Sequence, residues 1–300
     1  MAKRKAAAKK DESYSNSDSE DSSEQKIVNV DFDFFDLNPD VDYQAIKNLL
    51  RQTLDADNAR LDLSALTDLI LEQARAQAIG STIKTDGPES DPFAFLALVP
   101  ISPSKLTAPI REYLDYLLSR CRTSNKDLCT TIQTLTEATY AGPKTAILFS
   151  ERLINMPTEV IPPMYRMFLD ELERSSDSYD QFFLLSKSYQ EVSSQLDNDA
   201  DDYGDLPRSK RTKKTKSRAS RSKLSTSSEV FYFHAEDEIL RQHSITSSLF
   251  QYATPAQEAD SRRTFLDYGI APQGLIVFIS KSELRAAVKI MLETFAIPAP

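Results

Sequence analysis

The sequence is poor in the residue types that most catalytic and metal sites need. Its 300 residues include two histidines, two cysteines, six glycines and no tryptophan. So few histidines and cysteines leave little from which to build a zinc or iron site, and so few glycines leave little to cradle a phosphate. No P-loop, Gly-x-Ser-x-Gly or dinucleotide-binding motif occurs. The composition therefore favours a binding protein over an enzyme, and no catalytic residue, cofactor or metal site is predicted.

Two further absences bear on where the protein works. No run of about 18 apolar residues occurs, so no membrane span is predicted. The basic residues 1–10 have no apolar stretch behind them, so no secretory signal is predicted. The two cysteines, Cys121 and Cys129, are too few for a disulfide framework and indicate a reducing compartment. With no histidine nearby, we interpret them as small core residues rather than metal ligands.

Charge is divided unevenly along the chain. Residues 1–26 carry six basic and six acidic groups, and residues 197–223 carry nine basic and five acidic groups. Subtracting these segments (0 and +4) from the net charge of −9 leaves −13 on the remaining 247 residues. Such an acidic body attracts basic partners and repels nucleic-acid backbone, so no direct nucleic-acid binding is expected. The alternative is that the negative charge only maintains solubility.

Hydrophobic periodicity and low complexity predict the organisation. Residues 1–26 are predicted to be a disordered charged tail, and residues 193–228 a disordered loop, acidic and then basic. Alternating or short apolar runs predict strands near residues 28–34, 80–85, 93–99, 145–149, 181–186, 230–234 and 274–279. Apolar residues at helical spacing predict helices near residues 40–54, 62–77, 106–121, 163–174 and 280–294. Residues 27–300 are therefore predicted to form one α/β (α+β) domain interrupted by the loop.

Two short motifs are incomplete versions of catalytic signatures. His234-Ala-Glu236 matches the His-x-Glu of zinc deaminases, but no Pro-Cys-x-x-Cys follows, so we interpret His234 as a histidine at a strand end. Residues 77–82 approach the Gln/Arg-x-x-Gly-x-Gly/Ala loop with which GNAT-type acetyltransferases hold the pyrophosphate of acetyl-CoA at a helix N-terminus. This segment ends in Thr82 and runs from a predicted helix into a predicted strand, which is the wrong context for that loop.

A basic cluster in the second low-complexity segment is the strongest localisation signal. The candidate nuclear-localisation residues are Lys210, Arg211, Lys213, Lys214 and Lys216. Exposed cations on an extended segment suit the acidic grooves of an import receptor. Two alternatives stay open. The cluster could contact nucleic acid, although no interleaved aromatic residue is present to stack on bases, or it could form a weak, screened tether to the acidic body.

Three long stretches resemble the BCCIP family, and in particular its fungal members. These stretches are residues 28–51, 147–165 and 274–292, and the resemblance spans about residues 27–300. It implies a single GNAT-like domain, with a mixed sheet flanked by helices, that has lost acetyl-CoA binding and has no known enzymatic activity. An acetyl-CoA-dependent N-acetyltransferase on the same fold is the alternative function.

The resemblance also implies partners and a location. We expect a nuclear protein that shuttles to the cytoplasm, escorts a basic ribosomal protein of the large subunit toward 60S assembly, and supports nuclear export of a phosphatidylinositol phosphate kinase. These roles require the nuclear import and export machinery. The candidate client-binding residues are Asp31, Asp33 and Asp36 near the first strand and Asp170, Glu171 and Glu173 on the helix after Pro163. The alternative for both groups is an ordinary solvated polar face.

Overall fold

The computed structural model describes residues 30–192, 229–253 and 268–296, apart from residues 123 and 138. The chain divides into one unit that ends at Asp31 and a second that begins at Phe32. The described part of the first unit is Val30 and Asp31, both exposed to solvent. The predicted tail at residues 1–26 and the predicted loop at residues 193–228 lie outside the described residues.

The described strands of the second unit form one mixed sheet. In chain order they are β1 (Asp33–Phe35), β2 (Gly80–Lys84), β3 (Ala94–Pro100), β4 (Thr145–Arg152), β5 (Gln181–Glu191), β6 (Phe231–Tyr232), β7 (Thr246–Phe250) and β8 (Ile270–Ser280). Their order across the sheet is β1-β2-β3-β4-β5-β8-β7, and the short β6 pairs with the end of β5. β4 and β5 are parallel, whereas the other described pairs are antiparallel.

Helices cover both faces of this sheet. The described α-helices are α1 (Pro39–Leu54), α2 (Leu63–Gln77), α3 (Ala108–Cys121), α4 (Lys126–Thr136), α5 (Ile161–Arg174), α6 (Ala235–Gln242) and α7 (Lys281–Thr294). Helices α1 to α4 enclose one apolar cluster against one face, and α5 to α7 enclose a second cluster against the other. None of the described helices has the length and apolar character needed to cross a bilayer. The structure confirms the predicted mixed α/β fold, with a mixed sheet flanked by helices.

Short polar signals set the starts of three helices. The Asn38 side chain accepts a hydrogen bond from the N–H of Asp40 at 3.0 Å, and a proline follows it at the first helical position of α1. Asp62 caps α2 in the same way, and Ser280 caps α7 through the N–H of Glu283. Such caps satisfy N–H groups that have no partner inside the helix. These signals explain why the predicted helix starts agree with the structure to within a few residues.

The sheet opens at the parallel pair formed by β4 and β5. Parallel strands need a crossover connection, and here α5 supplies it between β4 and β5. The two strands pair only as far as Leu148 and Leu184. Beyond that point β4 continues against β3 to Arg152, while β5 continues against β8 to Glu191. Ligands of α/β sheets commonly bind in a crevice at the carboxyl ends of parallel strands, so this opening is a natural place for a site.

Some predicted boundaries are wrong. The first strand was expected over residues 28–34, but β1 spans Asp33–Phe35, and Val30 is 52% exposed. Phe32 and Phe34 do pack against the second apolar cluster, as their alternation predicts. Helices α4 and α6 and strand β7 were not predicted, because polar residues interrupt their apolar pattern. β7, for example, contains three hydroxyl residues and is held by pairing with β8 and by a hydrogen bond from Asn125 to the Ser247 carbonyl at 3.0 Å.

Candidate functional site

The fold brings together acidic residues from both groups of client-binding candidates. Asp36 follows β1 and Glu171 lies on α5, but the two are close enough in space for the charge of Asp36 to raise the pKa of Glu171. The half-buried Glu171 carboxylate accepts a hydrogen bond from the Gly80 N–H at 2.8 Å. Burial is the largest cause that raises the pKa of Glu171; the Gly80 hydrogen bond opposes it, and the charges of Asp36 and Asp170 add to the increase. We call Asp36, Asp170 and Glu171 the acidic patch.

The remaining candidates differ in their surroundings. Asp33, Asp36 and Asp170 are exposed and form no ion pair with another described residue. Glu173 pairs with Arg285 of α7 at 2.6 Å, and both side chains are about half exposed. An exposed pair of this kind contributes only about 0–1 kcal/mol. Asp31 is exposed and belongs to the first unit.

The opening beyond the parallel pair is filled by charged side chains. Arg152, at the end of β4, binds Glu236 of α6 through two hydrogen bonds, Nε to Oε1 at 2.7 Å and Nη2 to Oε2 at 3.0 Å. Arg152 also donates to the Met156 carbonyl at 3.0 Å. Burial is the largest single effect and would raise the pKa of Glu236, but the hydrogen bonds from Arg152 and the other hydrogen-bond and charge interactions of Glu236 together outweigh burial, so the pKa falls below its ordinary value.

Two more buried acids and a histidine extend this cluster. The Glu151 carboxylate accepts hydrogen bonds from Thr53 at 2.7 Å and from Gln52 at 3.2 Å. Nε2 of His234 lies 3.3 Å from Glu151 Oε1 but lacks the geometry of a hydrogen bond. Burial lowers the pKa of His234, which favours the neutral ring. Asp237 is also buried and accepts a hydrogen bond from Ser186, and burial raises its pKa well above the ordinary value.

Most of these groups are hydrogen-bonded to one another, although His234 Nε2 has no hydrogen-bond partner among the described residues. An open pocket of about 560 Å³ lies beside them, and its lining includes Gln52, Ile154, Lys187, Phe233 and His234. Gln52 turns its amide N–H inward to Glu151, and the Lys187 ammonium lies over the Phe233 ring at 5.6 Å. In the part of the chain that the structure describes, no group of three or more His, Cys, Asp and Glu side chains could hold a metal ion. The contacts describe a buried structural cluster that lies beside this open pocket.

Sequence reasoning missed this cluster. Arg152 and Glu236 are 84 residues apart, so no local pattern links them. The one signal was the His234-Ala-Glu236 motif, whose two side chains do lie together, though among carboxylates and arginine. His234 is the N-cap of α6 and follows β6 by two residues, in agreement with its interpretation as a histidine at a strand end.

Residues 77–82, whose sequence partly matches an acetyl-CoA-binding loop, have the predicted helix-to-strand context. α2 ends at Gln77 and β2 begins at Gly80, so the segment runs from a helix into a strand. Ala78 makes the turn in the left-handed region, with φ 53°. In an anion-binding loop the glycine N–H would face a phosphate. Here the Gly80 N–H is already occupied by the Glu171 carboxylate.

The cysteines are placed as predicted for core residues. Cys121 and Cys129 are buried and free, at the end of α3 and within α4, and their Sγ atoms are 2.8 Å apart. Burial raises the pKa of Cys121 to about 12. A thiol with so high a pKa has little nucleophilic thiolate at neutral pH. The localisation candidates Lys210, Arg211, Lys213, Lys214 and Lys216 lie outside the described residues.

The chain is similar to known proteins over most of its length. The family model BCCIP matches residues 27–240. Protein bcp1 of Aspergillus fumigatus is 39% identical over 279 residues, which cover 91% of this chain and 89% of that protein. Protein BCP1 of Yarrowia lipolytica is 38% identical over 275 residues, covering 90% and 83%. The crystal structure of BCP1 from Saccharomyces cerevisiae matches with a TM-score of 0.60 at 27% identity, covering 92% of this chain and 93% of that chain.

Proposed function

The chain belongs to the BCCIP family, and from this we propose that it is a non-enzymatic escort chaperone or adaptor of the nucleus. Its client is a basic ribosomal protein of the large subunit, and by holding that client it supports 60S biogenesis. The same binding activity serves nuclear transport, including export of a phosphatidylinositol phosphate kinase. The protein enters and leaves the nucleus through the import and export machinery.

The observation that carries this proposal is a set of exposed carboxylates that form no ion pair with other described residues, two of which belong to the acidic patch. Asp33, Asp36 and Asp170 are exposed without an ion pair to other described residues, and Asp36 and Asp170 lie near the Glu171 carboxylate. Outside residues 1–26 and 197–223 the chain carries −13. A basic ribosomal protein normally neutralises RNA phosphates, and carboxylates can take their place until the client reaches its RNA. An acidic surface also keeps the escort itself from competing for that RNA.

The GNAT-like arrangement is part of the proposal. The mixed sheet, with α5 crossing between its parallel strands, supports it. The acetyltransferase alternative lacks support at both places where acetyl-CoA could be expected to bind. The Gly80 N–H is occupied by Glu171, and the charged groups at the opening beyond β4 and β5 are bonded to one another around Arg152. Calorimetric titration with acetyl-CoA separates the two functions, since only the acetyltransferase would bind it measurably.

Neutralising the exposed carboxylates that form no ion pair with other described residues should weaken client capture. We expect Asp33→Asn, Asp36→Asn and Asp170→Asn together to reduce the amount of ribosomal protein captured from nuclear extract at low salt by about tenfold, which corresponds to about 1.4 kcal/mol. Capture by the unaltered protein should itself fall as salt rises, because exposed charges are screened. The measurement is a pull-down at low and high salt, with the captured proteins identified by mass spectrometry.

The matched control removes the same number of charges far from these carboxylates. Glu112→Gln, Asp127→Asn and Glu137→Gln alter exposed residues of α3, α4 and the end of α4, which pack near β7 at the opposite edge of the sheet. This control should retain capture. Equal losses in both variants would show that only net charge matters, and the absence of any ribosomal protein at low salt would reject the escort function.

The basic cluster should direct nuclear import. We expect changing Lys210, Arg211, Lys213, Lys214 and Lys216 to alanine to shift a fluorescently tagged protein from the nucleus toward the cytoplasm, because an import receptor would lose its cationic ligands. The measurement is the nuclear-to-cytoplasmic fluorescence ratio in living cells. A variant with Lys3, Arg4 and Lys5 changed to alanine serves as the comparison. An unchanged ratio in the first variant would assign import to the N-terminal cations or to a partner.

A further inference from the structure

A groove on the outer surface of α1 and α2 has no role in the cluster around Arg152 or in the acidic patch. It is an open pocket of about 530 Å³ where the start of α1 lies beside the end of α2. Its lining residues are Pro39, Tyr43, Asp68, Leu71, Glu72, Arg75 and Ala76. Four of these are apolar or aromatic, and since Leu71 is only 2% exposed, Pro39, Tyr43 and Ala76 supply the accessible surface on which an apolar side chain could be buried.

The groove is bordered mainly by negative charge. Asp68 and Glu72 line it, are exposed, and form no ion pair with another described residue. Asp40, next to Pro39, is exposed as well. The C-terminal end of α2 carries a partial negative charge and the N-terminal end of α1 a partial positive one, so the two helix termini offset each other and the side-chain charges decide the sign. Arg75 is the one cation among the lining residues, and the Lys47 ammonium lies 5.8 Å from the ring of Tyr43. The three carboxylates still exceed these two cations, so a positively charged partner is favoured.

Chain continuity joins this groove to the acidic patch. Ala76 is near the end of α2, and four residues later the Gly80 N–H binds Glu171. Gly80 also packs against Leu37, because a Cβ atom at Gly80 would lie 3.1 Å from Leu37 Cδ1. Leu37 in turn connects Asp36 to the start of α1. The end of α2 and the acidic patch are therefore linked through the buried contacts of Gly80 with Glu171 and Leu37.

We propose that this groove docks a lysine- or arginine-rich segment of a partner protein by one large apolar anchor side chain, with the flanking cations on Asp68 and Glu72. This inference rests on the proposed function and deepens it, since it names how a basic client is held. A buried anchor supplies affinity, whereas the carboxylates around it select a cationic sequence and speed its approach. A client held in this way would be recognised by more than its net charge.

Two synthetic peptides test the anchor on the full-length protein. Both contain six lysines in twelve residues, and one carries a central phenylalanine where the other carries serine. We expect the phenylalanine peptide to bind about tenfold more tightly in fluorescence anisotropy titrations. Ala76→Trp, at an exposed helix position, should fill the groove and reduce this preference to about twofold or less. Asp68→Asn with Glu72→Gln should weaken both peptides several-fold at low salt and leave the preference for phenylalanine in place.

Matched variants at α4 control for the introduction of a tryptophan and for the removal of two negative charges. Gln133→Trp places a tryptophan at another exposed helix position, and Asp127→Asn with Glu137→Gln removes two exposed charges at a distance from the groove. Both should bind the peptides as the unaltered protein does, and circular dichroism melting shows whether each variant is folded. Equal affinity for the two peptides in the unaltered protein would overturn the proposal. So would a preference that survives in folded Ala76→Trp, or self-association of the unaltered protein in sedimentation that Ala76→Trp abolishes.

The outcome can be separated from that of the proposed function. If ribosomal protein is captured from nuclear extract equally well by Ala76→Trp and by the unaltered protein, the groove proposal fails and the escort function stands. If no ribosomal protein is captured but the phenylalanine preference is present and lost in Ala76→Trp, the groove binds basic segments and the escort function fails.

Discussion

Replacing Arg152 with leucine is expected to lower the free energy of unfolding by about 3–5 kcal/mol, because it leaves Glu236 as an unpaired buried carboxylate. The side chains of Arg152 and Glu236 are 4% and 6% exposed, so water cannot replace the lost partner. Two hydrogen bonds to Glu236 and one to the Met156 carbonyl are lost together. The cluster also lies where β4 and β5 separate, so its loss should loosen the junction of α6 with the sheet.

Urea unfolding followed by circular dichroism measures this effect. Arg166→Leu removes an exposed arginine of α5 and serves as the control, with an expected change within about 0.5 kcal/mol. The double variant Arg152→Leu with Glu236→Leu should recover most of the loss, since replacing a whole buried pair by apolar residues is often neutral. If the single Arg152 variant were as mild as the Arg166 control, the cluster would not be the structural support that its contacts indicate.

Replacing Lys84 with methionine should cost a similar amount, about 3–5 kcal/mol, for the same physical reason. The Lys84 ammonium contacts Asp42 Oδ1 at 2.6 Å and the Pro88 carbonyl at 2.6 Å, and neither charged side chain is more than 1% exposed. The other oxygen of Asp42 accepts a hydrogen bond from the Asn38 N–H at 2.8 Å. The ion pair therefore ties the start of α1 to the end of β2 and fixes Pro39 and Tyr43, which line the groove.

Thermal and urea unfolding test this expectation, with exposed Lys289→Met on α7 as the control. Asp42→Leu combined with Lys84→Met should recover only part of the loss, because the Asn38 N–H then lacks its acceptor and an unmade buried hydrogen bond is costly. A full recovery would mean that the Asn38 contact contributes nothing. A change in Lys84→Met no larger than that of the control would show that the buried pair is dispensable.

Much of the fold could be predicted from local patterns. Asn38 and Pro39 mark the start of α1, Ser280 marks the start of α7, and apolar spacing identifies α2 and α5. Alternation assigned Phe32 and Phe34 to a buried face even though the strand boundary was wrong. These predictions succeed because caps and periodicity depend on residues within one or two turns of each other.

The candidate site was predicted only in part. The six acidic residues could be named from the sequence, but their different surroundings could not. Glu171 is half-buried and binds Gly80, Glu173 pairs with Arg285, and Asp170 is exposed without an ion pair to other described residues, although the three are near neighbours on α5. A one-residue step along a helix turns a side chain by about 100°, so the packing of α5 against the sheet decides which carboxylate faces solvent.

Composition and local spacing determined that this is an acidic α/β protein with few residues suited to catalysis, and its family was indicated separately by the resemblance of residues 28–51, 147–165 and 274–292 to the BCCIP family. The tertiary structure alone decided which distant groups contact each other. Asp42 contacts Lys84, which is 42 residues away along the chain, and Arg152 contacts Glu236, which is 84 residues away. The Gly80 N–H contacts Glu171, which is 91 residues away. The physical reason is that strand order and helix docking set these distances. Alternation along a strand shows which side chains share a face, but it carries no information about which strand or helix will lie beside them.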